Sequence, residues 1–322
     1  MSLALRILLA IVLMAGFYLL ALGIAGGLLW IPYAEWVYAH RIHGQIAVPC
    51  VVGAGVILWA ILPRVDRFEP SGPPLLPAEH PRLFALIREV ARAAGQGMPV
   101  EVYLDPDLNA WVAQRGGLMG IGSRRVMGIG LPLLAVLRVS QLRAVLAHEF
   151  GHYHGGDTRL GPWVYKTRAA IIRTVVSLAE GGHSVLYRPF QAYGKLFLRV
   201  THAVSRRQEI SADALSARVA GRAAAASALK DIHGAALAFQ PYLATELEPV
   251  LGAGCRPPIA EGFVRYLRTR DIASAVDKAV DEELRTARRD PYDTHPPLPE
   301  RIAALGGLPA GAAAPPDDPP AL

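Results

Sequence analysis

Two histidines and a glutamate are the residues in this sequence whose types and spacing best suit catalysis. His148 and His152 lie four residues apart, and Glu149 lies between them. On a helix this spacing places both imidazoles on one face, where they can bind a single metal ion. Glu149 falls on the flank of that face, so its carboxylate can take a proton from a water molecule held by the metal. The segment predicts a hydrolytic site with one Zn²⁺ per chain.

The two histidines leave a catalytic zinc site short of a third protein ligand. One known arrangement takes that ligand from shortly after the motif, and Gly155 fits its glycine. The ligand position there is Thr158, however, and Asp157 is one residue out of register. The other arrangement takes a glutamate from a later helix. It makes Glu209 the third ligand, and Asp213, one turn further on, the hydrogen-bond partner that fixes the tautomer of a ligand imidazole. The chemistry of the donors favours this second arrangement.

The segments that carry these residues are predicted to be mainly helical. The metal-binding helix is predicted over Gln141–His154, with Ser140 as its N-cap and Gly155-Gly156 as its stop signal. A long helix over roughly Ser205–Gly221 carries the third ligand. Other elements are predicted as helices at Pro81–Arg92, Leu131–Leu137, from Gly221 to about Phe239 and from about Glu261 to Arg289, and as strands at Val100–Leu104, Asn109–Gln114 and Arg125–Gly130.

Much of the apolar composition of the chain lies near its start. The whole sequence is 52% hydrophobic and 19% charged, with a mean hydropathy of +0.28. Ile7–Ile31 and Ile46–Leu62 contain no charged residue, and the first run is long enough to cross a hydrocarbon core of roughly 30 Å. Aromatic residues suited to the headgroup level follow the first run, at Trp30, Tyr33, Trp36 and Tyr38. These features predict two transmembrane helices.

The distribution of arginines predicts the orientation of this hairpin. Arg6 precedes it, Arg64 and Arg67 follow it, and the loop between its helices contains only Arg41. The positive-inside rule therefore places both termini in the cytoplasm. We expect a multi-pass protein of the cell (inner) membrane whose catalytic domain faces the cytoplasm, and a net charge of +6 suits a domain next to anionic lipid.

Composition also excludes some classes of protein. The sequence has no basic stripe with interleaved aromatics and no known nucleic-acid-binding motif, so nucleic acid is not expected as a partner. Its two cysteines, Cys50 and Cys255, support neither a disulfide framework nor a cysteine metal site. Any metal must therefore be held by histidines and carboxylates.

The expected architecture is an α+β, mainly helical zincin domain with a small β-sheet, preceded by the transmembrane hairpin. We predict the hairpin at residues 1–64, a Pro-rich connector at 65–80, the metallopeptidase domain at 81–305 and a disordered tail at 306–322. Residues 160–204 are apolar but contain many Lys and Arg residues, so no further span is predicted there. Basic amphipathic helices on the membrane surface and helices packed on the catalytic domain fit this segment equally well.

Several ordered blocks between about Pro81 and Ile302 resemble the membrane gluzincin family of the HtpX heat-shock protease and the CAAX prenyl proteases. The blocks are Asn109-Ala-Trp, the metal helix from Leu142 to His152 with Asp157 after it, Ser205–Ala214 with the third ligand, and Asp293–Ile302 with its Thr-His-Pro-Pro segment.

The resemblance implies roles that spacing alone does not indicate. It implies that His295 hydrogen-bonds the oxyanion of the tetrahedral intermediate, with Arg301 nearby. It implies that Asn109 lies on a strand along which the substrate backbone adds. The expected partners are protein or peptide substrates and membrane lipid, and the expected role is protein quality control or processing. The alternative is a zinc-bound membrane scaffold without catalytic activity.

Overall fold

The structure is a computed structural model that describes residues 3–62, 68–116, 122–152, 161–181, 184–288, 293, 295–311 and 315–322. Its helices are α1 (Leu3–Ala39), α2 (Gly44–Ile61), α3 (Pro81–Ala93), α4 (Leu131–Val136), α5 (Val139–Gly151), α6 (Gly161–Glu180), α7 (Ser184–Ala220), α8 (Arg222–Tyr242), α9 (Glu248–Gly252), α10 (Ile259–Arg268), α11 (Arg270–Thr286) and α12 (Leu298–Gly306). Its strands are β1 (Glu101–Asp105), β2 (Ala110–Arg115) and β3 (Arg124–Gly130). The chain forms two compact units: α1, α2, α6 and α7 up to Ser205 belong to the first, and the other labelled elements with the rest of α7 belong to the second.

The first unit contains the two predicted apolar helices. Among the described residues, Leu8–Ala39 and Gly44–Ile61 are long and apolar enough to cross a membrane. Many of their large side chains are exposed, including Leu19, Trp36 and Trp59. Exposed apolar side chains on a long helix are costly in water and suit a lipid environment.

Helix α6 and the first half of α7 pack on this hairpin. Phe17 of α1 and Ile57 of α2 are fully buried in one cluster with Phe190 and Phe197 of α7. The hydroxyl of Tyr193 also donates to the carbonyl of Leu13 at 2.6 Å. Buried apolar side chains of α6 and of the first half of α7 therefore pack against α1 and α2.

The second unit is built on a three-stranded sheet of order β1-β3-β2. β1 is parallel to the central β3, and β2 is antiparallel to it, which leaves β2 at an edge. All three predicted strands are confirmed with shifts at their ends. Apolar residues from α3, the sheet, α5 and α7 form one core beside it, which includes Ile87, Met127, Leu146, Phe150 and Leu215. This core holds the metal-binding helix against the sheet.

The described part of the predicted connector, from Phe68 onward, runs beside β1. The amide of Leu104 donates to the carbonyl of Pro73, and the amide of Leu75 donates to the carbonyl of Val102. The edge carbonyls and amides of β1 needed partners, and this segment provides them.

Two helix boundaries also differ from their predictions. α7 begins at Ser184, well before the predicted Ser205, because its earlier apolar residues are buried in the first unit and stabilise the helix there. α5 ends at Gly151, before the predicted His154. Its end coincides with a glycine, the residue with the lowest helix propensity after proline. The predicted stop signal at 155–156 lies outside the described residues.

The described end of the tail is ordered, contrary to the prediction from its composition. Asp318 accepts hydrogen bonds from the amide of Ser140 at 2.9 Å and from its hydroxyl at 2.6 Å. The amide of Val139 donates to Pro319, and that of Ala321 donates to Leu137. Ser140 is thus not the N-cap; it lies inside α5, and the carboxylate that binds its free amide comes from the far end of the chain. These polar contacts hold a segment that has little apolar surface to bury.

Asp318→Ala should therefore destabilise the second unit. Loss of a carboxylate at a helix N-terminus costs about 0.5–2 kcal/mol, which corresponds to a fall of a few degrees in melting temperature for a domain of this size. Asp317→Ala is the matched control, because Asp317 is exposed next to it. Thermal melts of the two purified variants should differ; equal melting temperatures would show that the Asp318 cap contributes nothing.

Candidate metal centre and active site

The site depends on a close crossing of α5 and α7. A Cβ atom on Gly151 would lie only 2.8 Å from the Cα atom of Ala212, so only glycine permits this approach. The hydroxyl of Ser216 donates to the carbonyl of Ala144 at 2.7 Å and fixes the two helices together one turn further along. The crossing brings the histidine face of α5 opposite the acidic face of α7.

Three side chains converge at this crossing. Nε2 of His148 lies 3.4 Å from Oε2 of Glu209, and Nε2 of His152 lies 3.6 Å from Oε1 of Glu209. The three residues each offer a ligand atom within 4.8 Å of the others. The two predicted histidines and the predicted glutamate therefore lie close enough together to bind one metal ion.

These separations suit a metal ion better than direct hydrogen bonds. Atoms bound about 2.0–2.2 Å from one tetrahedral ion lie about 3.3–3.6 Å apart, whereas N–H···O bonds are about 2.7–3.2 Å long. Oε2 of Glu209 is also buried without a correctly directed hydrogen-bond donor among the described residues, although Nδ1 of His295 lies 2.9 Å away. A buried carboxylate oxygen needs a partner. A divalent cation held by the three residues would satisfy it.

Asp213 and Arg301 hold the imidazole of His148 in place. Nδ1 of His148 lies 2.9 Å from Oδ1 of Asp213, so the proton on Nδ1 points to the carboxylate and Nε2 faces the metal position. Arg301 donates from Nε and Nη2 to the two oxygens of Asp213, at 2.8 and 2.6 Å. This bidentate pair fixes the carboxylate, which in turn fixes the imidazole. Asp213 thus lies within hydrogen-bond distance of one of the two histidines of the predicted metal-binding helix.

The protonation of the two histidines differs strongly. Burial alone would lower the pKa of His148, but the contacts of its ring with the carboxylates of Asp213 and Glu209 outweigh burial and raise that pKa to about 9. Burial, together with the nearby His148, lowers the pKa of His152 to about 4. A metal ligand must be neutral at the coordinating nitrogen. Near neutral pH, a metal that binds at this site would therefore have to displace a proton from His148 but not from His152.

The carboxylates differ just as clearly. Burial raises the pKa of Glu149 to about 7, against the opposing effect of His148. Burial would also raise the pKa of Glu209, but its contacts with His148 and His295 hold that pKa well below the usual range. Glu209 is thus a permanent anion, as a metal ligand must be, whereas Glu149 can gain and lose a proton near neutral pH.

The remaining predicted residues line one cleft of about 590 Å³. His295 lies at its mouth with a side chain that is 61% exposed. Asn109 is exposed at the start of β2, and its carbonyl accepts from the amide of Gly130 at 2.7 Å. Arg301 is mostly buried against Asp213. Asp157 and Thr158, the positions considered for the other arrangement, lie outside the described residues.

Sequence reasoning missed two residues of this cleft. His233 of α8 and Glu283 of α11 both line it, with Nε2 of His233 in contact with Oε2 of Glu283. They are fifty residues apart and belong to no recognisable motif. The sequence contains only a weak indication of His233: it is a single histidine in the face of the alanine-rich α8 that carries Ala225, Ala228 and Ala236.

A metal-binding histidine pair and its glutamate base on one helix, with a glutamate ligand from a second helix, define the class of gluzincin metallopeptidases. Residues 77–308 match the family model described as peptidase family M48. The chain belongs to that family, and it is a metalloprotease with two helices that could span a membrane.

Curated relatives agree with this assignment. The chain is 28% identical to "Protease HtpX" of Xanthomonas axonopodis pv. citri (strain 306) over 69% of its own length and 70% of the relative's. The same identity and coverage are found with "Protease HtpX" of Hahella chejuensis (strain KCTC 2396). It is 27% identical to a "Protease HtpX homolog" of Nitrosomonas europaea over 46% of this chain. No solved structure matches the chain significantly.

The ligand assignment predicts different effects for the two acidic residues of α7. Glu209→Ala should lose most of the bound metal, because it removes a ligand. Asp213→Ala should weaken metal affinity by about 10–100-fold, since it only releases the imidazole that Asp213 orients. Metal content and affinity would be measured on purified full-length protein.

Glu261→Ala provides a control on the exposed face of α10 and should keep its metal. Melting temperatures would separate loss of metal binding from loss of fold. Loss of metal in Asp157→Ala, with metal retained in Glu209→Ala, would show that the third ligand is wrongly assigned.

Proposed function

We propose that this protein is a membrane-anchored zinc metalloendopeptidase that hydrolyses peptide bonds of cytosolic or membrane-associated proteins, in protein quality control or processing. The observation that carries the proposal is the convergence of His148, His152 and the buried Glu209 at tetrahedral ligand spacing, with Glu149 beside them. Two histidines and one glutamate are a donor set of catalytic zinc sites, which keep one coordination position open.

The metal would be held by the three ligands and would supply Lewis-acid polarisation of the scissile carbonyl and of the attacking water. Glu149 would accept a proton from that water and pass it to the leaving amine. Burial raises its pKa, which favours acceptance of the proton. Asp213 and Arg301 would keep His148 in the tautomer that leaves Nε2 unprotonated.

His295 is proposed to stabilise the developing oxyanion. Its Nδ1 faces Glu209, which leaves Nε2 as the ring nitrogen available to a substrate group at the mouth of the cleft. The start of β2, with Asn109, is proposed to receive the substrate backbone, because β2 is an edge strand and strand addition needs such an edge. Arg301, bound to Asp213, would act by positioning and not by contact with the substrate.

The membrane location rests on the two apolar helices of the first unit and on the arginine distribution around them. The helices favour a membrane hairpin, and the arginine distribution favours the cytoplasmic side for the catalytic unit. A reporter fused after residue 64 should behave as cytoplasmic, and one inserted at Gly44 as external.

Glu149→Gln should abolish peptide hydrolysis while metal content stays near one ion per chain. The substitution keeps the ligands and removes the base. Hydrolysis of a casein-type substrate and metal content would be measured on the same preparation. Residual activity within tenfold of wild type would contradict the proposal. Wild-type protein that binds metal but hydrolyses nothing would favour the alternative, a zinc-bound scaffold without catalytic activity.

His295→Ala should lower kcat by about 100–1,000-fold with little change in KM or metal content, the usual cost of one lost oxyanion donor. The competing explanation is that this segment only turns the chain onto the domain. In that case the variant would melt at a lower temperature but retain full turnover per folded molecule, so kcat and melting temperature from one preparation distinguish the two.

A further inference from the structure

One helix forms a continuous wall of the active-site cleft. Six side chains on one face of α8 line it: Ala225, Ala228, Leu229, Ile232, His233 and Ala236. Their spacing of three and four residues keeps them on one side of the helix. From the first to the last the helix rises about 16 Å, the length of about five residues of extended peptide. The wall is long enough to contact substrate residues well beyond the scissile bond.

His233 is the one polar residue in this wall. Its Nε2 contacts Oε2 of Glu283, which reaches the cleft from α11, and both side chains are about a third exposed, at 30% and 32%. Specificity in a mainly apolar cleft comes from the few polar groups placed in it. The His233–Glu283 pair is such a group, and it lies outside the metal centre.

The charges around the cleft determine what this pair can recognise. Among the described residues that line the cleft, Arg301 is the only lysine or arginine, and Asp213 binds it in bidentate fashion. The other charged or titratable groups of the lining are His148 and Glu149 at the metal centre, and Asp293 and His295 at the mouth. Apart from His233, the lining therefore offers no cation to Glu283. The ionised carboxylate of Glu283 can only accept hydrogen bonds, so a substrate group that binds it must be a donor. Cationic donors form the strongest hydrogen bonds with a carboxylate.

We propose that Glu283, held in place by His233, selects substrates that carry a lysine or arginine side chain at one position near the scissile bond. The small, exposed side chain of Ala236, one turn from His233, leaves room along the wall for the aliphatic part of such a side chain. This inference rests on the proposed peptidase function and makes its substrate class more specific. One hydrogen bond to a charged group in a cleft discriminates by about 10–100-fold.

The test measures peptide binding, so that it does not depend on hydrolysis. Metal-loaded full-length Glu149→Gln protein is titrated with fluorescent peptides that carry Lys, Gln or Glu at each position in turn. At one position the Lys peptide should bind about 10–100-fold more tightly than the Gln peptide. Adding Glu283→Gln should reduce this preference to about threefold or less while affinity for the Gln peptide stays the same. Adding Glu283→Lys should turn the preference toward the Glu peptide.

Glu282→Gln is the matched control. Glu282 adjoins Glu283 on α11, but it pairs with Arg285 at the surface, with 60% of its side chain exposed. This variant should keep the full preference for the Lys peptide, and its melting temperature should not change.

Three outcomes would overturn the inference: no peptide binds, no position prefers Lys, or the preference persists in the Glu283→Gln variant. The proposed function fails separately. If the peptides bind with the predicted preference but the wild-type protein does not hydrolyse them, the specificity stands and the peptidase assignment does not.

Discussion

The close crossing of α5 and α7 is the contact on which the active site depends. With any side chain at position 151 the helices would have to separate, because the Cα of Ala212 occupies the space that a Cβ would need. Separation would move Glu209 away from both histidines and leave its carboxylate buried without ligand or donor. The glycine between Phe150 and His152 is therefore as necessary to the metal centre as the ligands are, although it contacts no metal.

The crossing also brings several buried charged groups close together. Three carboxylates, Glu149, Glu209 and Asp213, lie in this cluster with one guanidinium, that of Arg301. Arg301 balances Asp213. Burying uncompensated charge costs several kcal/mol per ion even after relaxation. A proton on His148 offsets the charge of Glu209, and a divalent cation held by His148, His152 and Glu209 would take the place of that proton.

The sequence was sufficient where local patterns carry the information. The grouping of the i, i+4 histidines with Glu209, and the three strands, depend on spacing within a helix or on alternation within a strand. It was insufficient where distant residues decide. Ser140 looked like an N-cap because nothing nearby showed that Asp318, 178 positions away, would bind its amide and hydroxyl. The tail looked disordered because composition measures apolar burial and not such polar contacts. The start of α7 was misplaced because tertiary packing stabilises its first turns.

The same limit explains why the wall that α8 forms in the cleft could not be predicted from the sequence. In sequence α8 is an alanine-rich helix, and its alanines can be read as helix formers or as packing residues. Only the fold shows that one face of these alanines borders a cleft shared with His148 and Glu149, and that Glu283 from another helix meets the single histidine in that face. The small side chains let α8 approach α5 closely, and Ala224 of α8 and Ala144 of α5 lie in one buried cluster. The residues proposed for catalysis are thus ones whose spacing a sequence displays, whereas the proposed selectivity depends on a pairing that exists only after folding.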